Sequence, residues 1–227
     1  MGVMLFIDPL YIHIILGQSH FKTGLIFFTI PMVVVFGSYI IGYLNHLFGS
    51  KKLLMAGAIA CLLSSIGHMI LKSQMNYWIM IPTFLLLGIG WAIGNTVPAT
   101  FVGKSVNSDH VGVAVGAMFT FWNISASVFL AIAVTVFHTR ATASILTQFA
   151  QNNLKIDTVQ QKLLELFVAQ PDKLQSTVNQ FGRSQNLIID IFKDGFMSGQ
   201  HMMYLLPLIF SVISLIAIMF FLQKKDS

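Results

Sequence analysis

The stretch Leu25-Ile26-Phe27-Phe28-Thr29-Ile30-Pro31-Met32-Val33-Val34-Val35-Phe36-Gly37-Ser38-Tyr39-Ile40-Ile41-Gly42-Tyr43-Leu44-Asn45-His46-Leu47-Phe48-Gly49-Ser50-Lys51-Lys52 carries no Asp, Glu, Lys or Arg until it reaches a pair of lysines. About 20 apolar residues in helical form cross the ~30 Å of hydrocarbon in a bilayer, because a helix satisfies its own backbone polar groups where water is absent. Leu25 to Phe48 meets that length, and Gly49-Ser50-Lys51-Lys52 reads as a turn at the membrane surface. Working outward in both directions, five further segments follow the same pattern: Val3 to Gly17, Leu53 to Leu71, Tyr77 to Val102, Val111 to Phe137 and Met202 to Leu222. None shows the polar and apolar alternation of a membrane barrel. The expected fold class is therefore an all-α membrane protein with six transmembrane helices.

Composition supports this. Of the 227 residues, 56% are hydrophobic and 9% are charged, whereas roughly a quarter of an average soluble domain is charged. The formal net charge of +5 would suggest nucleic acid in a soluble domain. Here the basic residues stand singly or in pairs between apolar runs, so the lipid bilayer is the expected partner and nucleic acid is not. A single cysteine, Cys61, excludes a disulfide within the chain. The N-terminus lacks the positive residues of a signal peptide, and Asp8-Pro9 interrupts its apolar run, so it reads as a span rather than a cleaved leader.

These spans divide the chain into residues 1-137 with helices one to five, a loop over 138-200, a sixth helix over 201-222 and a tail over 223-227. Lysines in short loops stay on the cytoplasmic side. Lys51, Lys52, Lys104, Lys224 and Lys225 collect on one side, against Lys22 and Lys72 on the other. Both termini are thus expected to be cytoplasmic and the long loop extracytoplasmic. Within that loop Asp157 and Gln160 match a capping box, with Val159, Leu163, Leu164, Phe167 and Val168 on one face before Pro171. A second short helix is expected after Asp172, carrying Leu174, Val178 and Phe181. These helices either lie on the membrane surface and helix ends or form a lid over a solute pathway.

Asp8 is the only acid inside an expected span. An ionisable group costs several kcal/mol there and is usually paired or functional. Asp8 reads either as a protonatable coupling group or solute contact, or as a headgroup residue if the first span begins later. His13 and His68 are expected to be satisfied by neighbouring helices or an interface rather than to act as ligands. The run Leu87 to Pro98 combines glycines, Asn95, Thr96 and a proline that cannot donate to the Gly94 carbonyl, so a kink is expected there. Asn95 and Asn123, with Trp91, Phe121 and Trp122 beside them, read either as cavity-lining groups or as interhelical hydrogen bonds and packing. Small residues form stripes at Ala56, Ala60 and Ser64, at Gly57, Cys61 and Ser65, and in the pairs Gly90/Gly94 and Gly112/Gly116, which let helices approach closely. No nucleophile elbow, Walker A loop, HExxH or His/Cys cluster is present, so neither an enzyme, a metal site nor a cofactor is expected.

The segment Gly42-Tyr43-Leu44-Asn45-His46-Leu47-Phe48-Gly49-Ser50-Lys51-Lys52 resembles the cytoplasmic turn signature of the major facilitator superfamily. Gly42, Leu44, Gly49, Lys51 and Lys52 match it, while His46 and Leu47 replace the Asp and Arg of its charge latch, as in the second copy of the motif in these carriers. Tyr11 to Leu25 is similar to the outer turn leading into the second helix of the C-terminal half, and His110 to Ala117 to the start of its fifth. A long outer loop before the last span is typical of the fourteen-helix drug:proton antiporter branch. The resemblance runs from about residue 4 to residue 222. It implies two inverted three-helix repeats around a pathway in a bacterial inner or plasma membrane, and proton-coupled multidrug efflux, with Asp8, Trp91, Asn95, Trp122 and Asn123 as pathway candidates. The half that carries the intact charged turn, the membrane Arg and the antiporter motif is not in this sequence, so a second six-helix half or a homo-oligomer is an expected partner. The alternative expectation is a non-transporting membrane protein, either a remnant of a truncated or split gene or an interaction subunit; the near-immediate start of the first span favours it.

Overall fold

The computed structural model describes residues 2–72, 76–152 and 185–221, and all regular structure among them is helical. Helix α1 (Gly2–Leu10) widens into a π-helical turn, Tyr11–Ile15, beyond Pro9, which has no amide hydrogen to give. There follow α2 (His20–Phe27), α3 (Thr29–Phe48), α4 (Ser50–Met69), α5 (Met80–Ser105), α6 (Val111–Gln151) and α7 (Gln185–Phe221). Short 3-10 turns, Tyr77–Ile79 and Ser108–His110, lead into α5 and α6.

Local chemistry explains the breaks. Gly17 takes a φ of 63°, a left-handed conformation that glycine adopts without strain, and ends the π turn. Ser19 then caps α2, its Oγ accepting from the Lys22 amide. Pro31 cannot donate to the Phe27 carbonyl, and α2 gives way to α3 at Phe28. Gly49, at φ 80°, is the hinge between α3 and α4.

Among the described residues five helical segments are long and apolar enough to cross a membrane: His20–Phe48, Ser50–Met69, Tyr77–Ser105, Ser108–Gln151 and Asn186–Phe220. The expected span from Val3 to Gly17 is instead a shorter apolar helix, Gly2–Ile15. Val3, Met4, Ile7, Asp8, Tyr11, Ile12 and Ile15 are all buried in protein, so lipid is not what surrounds its inner face.

The centre of the bundle is the antiparallel pair α4 and α5. A Cβ on Gly57 would reach within 3.0 Å of Ile93, one on Gly67 would strike Thr83, and one on Gly90 would strike Cys61. The expected small-residue stripe on α4 and the Gly90 position are therefore where these helices meet. α3 packs on α5, with Gly88 against the Ile30 carbonyl, and α7 packs on α4. Pro98 lies within a continuous α5.

α6 and α7 run further than the sequence pattern indicates. α6 continues past Phe137 to Gln151, and α7 is already helical at Gln185, well before Met202. The extra length of α6 buries Phe137, Ala141, Ile145 and Phe149 at i, i+4 spacing. On α7, Ile188, Ile191, Phe192 and Phe196 belong to the same core, with Gly195 and Gly199 closing on Ile145 and Phe137. Polar residues on the outward faces, such as Thr139, Arg140 and Asn186, mask this amphipathic pairing in a hydropathy reading. α1 packs across α6 and α7. The expected helices after Asp157 and Asp172 and the tail over 223-227 lie outside the described residues.

Candidate functional site

Several buried polar residues among those described converge at one place. Asp8 on α1, His68 near the end of α4, and Tyr204 and Gln200 on α7 each have no solvent exposure. Asp8 Oδ2 lies 3.2 Å from His68 Nε2, an ion-pair contact, although the ring is not aligned on the oxygen as a hydrogen bond requires. Tyr204 donates its hydroxyl hydrogen to Asp8 Oδ1, and Gln200 Nε2 donates to the Tyr204 hydroxyl over 2.9 Å. On the far side of the imidazole, His68 Nδ1 is 2.7 Å from the Ser64 carbonyl oxygen, and Ser64 Oγ donates to the Thr83 carbonyl at 2.8 Å. Phe84 and Tyr204 flank the imidazole, with ring centres 5.7 and 5.1 Å away. One continuous polar chain thus ties α1, α4, α5 and α7 together.

Two backbone contacts anchor the cluster at the α4–α5 connection. Tyr11 donates its hydroxyl hydrogen to the Lys72 carbonyl at 2.7 Å, and His201 Nε2 lies 2.9 Å from the Leu71 carbonyl. The opposite end of α4 is the Gly49 hinge, where Lys51 Nζ donates to the Met219 carbonyl at the end of α7 over 3.3 Å. The polar cluster and the lysine turn therefore mark opposite ends of the bundle. Around the hinge Gly42, His46, Gly49 and Lys52 are exposed, and among the described residues no charged partner latches the turn.

The other candidates lie elsewhere. Trp91 and Asn95 are half-buried on α5, and Asn95 Nδ2 donates to the Trp91 carbonyl of its own helix at 3.1 Å. Trp122 of α6 reaches across to Gly94, a Cβ on which would stand 3.5 Å from the indole. Gly94 and Trp122 lie at the α5–α6 contact. Asn123 is exposed on α6 and bonds the Phe119 carbonyl one turn back at 2.8 Å. Trp122 thus meets α5 at Gly94, while Trp91 packs against the core that also holds Ile7, Tyr11 and Tyr204. Sequence reasoning singled out Asp8, and expected His68 to be satisfied by a neighbouring helix or an interface, but it did not pair the two or name Tyr204 and Gln200. His68, Tyr204 and Gln200 are distant in sequence, and only the i, i+4 placement of Gln200 and Tyr204 in the final apolar run offered a signal. Among the described residues no group of three or more His, Cys, Asp or Glu side chains is placed to hold a metal ion.

Five membrane-length helices, a short buried N-terminal helix and a glycine-hinged turn with paired lysines agree with a sequence match. The Major Facilitator Superfamily model matches residues 1–130, more than half of the chain. The chain belongs to this superfamily. It is accordingly an integral membrane protein of a transporter family rather than of an enzyme family. The matched region holds α1 to α5 and the first part of α6, including Asp8 and His68, the Gly49 turn and the Trp91, Asn95 and Trp122 group. Tyr204 and Gln200 fall beyond it. No curated protein and no solved structure matches the chain.

Proposed function

We propose that the chain is one half of a carrier that exports a hydrophobic or amphipathic small solute in exchange for protons, of the multidrug efflux type. The superfamily match over residues 1–130 is the observation that carries this reading. In it the buried helix Gly2–Ile15 and the five longer segments stand for the six helices of a half, arranged as two inverted three-helix repeats. The lysine-bearing Gly49 turn and both termini face the cytoplasm of a bacterial cell.

The α5–α6 surface is the solute wall. Trp91 and Trp122 offer flat apolar faces and Asn95 a single amide, a combination suited to solutes held by shape and stacking more than by charge. Asp8 is the coupling carboxyl group, reached through the polar chain rather than from the solute surface. The second wall comes from another six-helix unit, a separate chain or a second copy. Support for this comes from the first part of α6, where Gly112 and Gly116 have no atom near their Cβ positions and Thr120, Asn123 and Ser127 are exposed beside Phe121 and Ile124. Such a face of small and hydroxyl residues packs well against another helix.

The test is flux in proteoliposomes carrying the chain, alone and with a co-expressed six-helix partner. Expected is uptake of a lipophilic cation dye driven by a proton gradient, abolished by Asp8→Asn and reduced several-fold by Trp122→Ala. If no combination moves dye or protons, the unpartnered α6 face favours the second reading, a non-transporting subunit that docks on another membrane protein.

A further inference from the structure

Outside the polar cluster, two histidines meet at the turn that joins the buried first helix to the first long span. His13 lies in the π turn and His20 is the first residue of α2, and their rings are stacked with centres 3.8 Å apart and a tilt of 28°. The turn is held at several points. Gly17 reverses the chain at a φ of 63°, the Gln18 amide donates to the Ile12 carbonyl at 3.2 Å, and Ser19 caps α2. His13 Nδ1 is 2.8 Å from the Gln18 carbonyl oxygen, which can only accept, so Nδ1 carries the hydrogen and Nε2 of the neutral ring keeps a lone pair. Among the described residues, His13 Nε2 and both nitrogens of His20 have no hydrogen-bond partner. His20 is exposed and His13 half-buried, so ions reach the pair from outside the bundle.

We propose that His13 and His20 form a site for a divalent transition metal ion, zinc or copper(II), at the rim of the bundle. A ligating histidine typically donates its other ring N–H to a carbonyl or carboxylate oxygen, which fixes the tautomer and aims the free nitrogen. The Gln18 carbonyl does this for His13. Two nitrogens on one ion stand at most about 4 Å apart, twice the ~2.0–2.1 Å zinc–nitrogen bond, and ring centres 3.8 Å apart fall within that reach. The exposed ring of His20 has no hydrogen bond to hold it and can turn a lone pair toward the ion. Imidazole suits zinc, copper and nickel, whereas magnesium and calcium take oxygen ligands. Water completes the coordination on the exposed side. Opposing the ion are Lys22, two residues beyond His20, and the partial positive charge at the start of α2. Lys22 is exposed and can swing its ammonium into solvent, and the helix effect fades within the first turn and is screened by salt. A bound ion closes a ring from His13 to His20 around Gly17 and sets the angle between the buried helix Gly2–Ile15 and the span His20–Phe48. The sequence alone presents His13 as a satisfied residue; the folded turn is what pairs it with His20. The site uses none of the residues of the Asp8 cluster and does not depend on which solute, if any, is carried.

The experiment is calorimetric titration of zinc chloride, and separately of copper(II) chloride, into the purified chain in detergent micelles, with an affinity tag that contains no histidine. The pH is about 7.5, where an ordinary imidazole is neutral. One saturable ion per chain is expected. His20→Ala and His13→Ala should each weaken it at least about tenfold, since even an outer-shell partner of a ligating histidine commands about 10–100-fold in affinity. His110→Ala, which removes an exposed histidine before α6 at the opposite end of the bundle, should leave it unchanged. With copper(II), electron paramagnetic resonance should show two imidazole nitrogens on the metal in the parent chain. No saturable binding of either ion, a single nitrogen on copper, or binding weakened by only one of the two folded variants overturns the proposal. If His13→Ala does not fold, His20→Ala decides alone, because it leaves the hydrogen bonds of the turn in place. Affinity unchanged in that variant overturns the site.

Discussion

α5 and the first part of α6 are both apolar, both carry glycines four residues apart and both hold an asparagine, yet the protein treats them in opposite ways. Of the most apolar stretch of the α5 segment 44% is buried, against 6% for the α6 segment. Gly88 and Gly90 are filled in by Val33 and Cys61, whereas Gly112 and Gly116 meet nothing. In a bilayer no hydrophobic force distinguishes protein from lipid, so a glycine stripe becomes an interface only where another backbone approaches to fill it. The comparison shows that a small-residue stripe declares the capacity for close packing, and that occupancy depends on which helices are present.

The sharpest way to break the comparison is to overfill both stripes. Gly90→Leu would drive its side chain into Cys61 Sγ and to within 3.1 Å of the Gly57 carbonyl, which is backbone and cannot turn away. Overpacking costs about 1–3 kcal/mol, occasionally more, and with rigid backbone opposite, the expected result is loss of the monodisperse protein on detergent gel filtration. Gly116→Leu should leave the unfolding temperature of the chain almost unchanged, within about 0.5 kcal/mol. Equal damage from both would mean that the α6 face is covered in the folded chain.

The next effect concerns the buried polar cluster, which α5 helps to line and α6 does not. His68→Phe leaves the Asp8 carboxyl group buried beside an apolar ring, and removal of one member of a buried pair costs about 3–5 kcal/mol. Tyr204→Phe removes two hydrogen bonds, the one given to Asp8 and the one accepted from Gln200, and should cost about 2 kcal/mol. Both are read from thermal unfolding at one fixed pH. If His68→Phe were no worse than Tyr204→Phe, the Asp8–His68 contact would carry little of the stability of the cluster.

How much of this is legible in the sequence depends on whether the signal is local. The five long spans are, because hydropathy over about 20 residues is a property of the stretch itself. The Gly49 turn is also local, as a glycine between an apolar run and a lysine pair. The extension of α6 to Gln151 is not evident, because one face carries Phe137, Ala141, Ile145 and Phe149 while Thr139 and Arg140 dilute the average. The first apolar run reads as a span, its helix Gly2–Ile15 is shorter than the other five, and its apolar residues belong to a protein core shared with α6 and α7 that no local pattern distinguishes from lipid. Asp8 is conspicuous as the one acid in an apolar run, but its pairing with His68 and Tyr204 joins positions that only the packing of three helices brings together.

The smallest effect separates stability from docking on the α6 face. Asn123 spends its amide hydrogen on the Phe119 carbonyl of its own helix and is otherwise exposed, whereas Asn95 makes the same local bond from a half-buried place against Trp91. Asn123→Leu should change the stability of the isolated chain by less than about 0.5 kcal/mol, because no neighbouring helix loses a contact. Asn95→Leu disturbs a packed surface and should cost about 1 kcal/mol. In a membrane containing the proposed six-helix partner the order should reverse for association. Asn123→Leu removes an amide from the face the partner would cover, so it should weaken co-purification of the partner more than Asn95→Leu does. Were Asn123→Leu silent in both assays, that face would be a lipid contact, and the second wall of the pathway would have to be sought on the exposed side of α3, along Phe28, Met32, Val35, Phe36 and Tyr39.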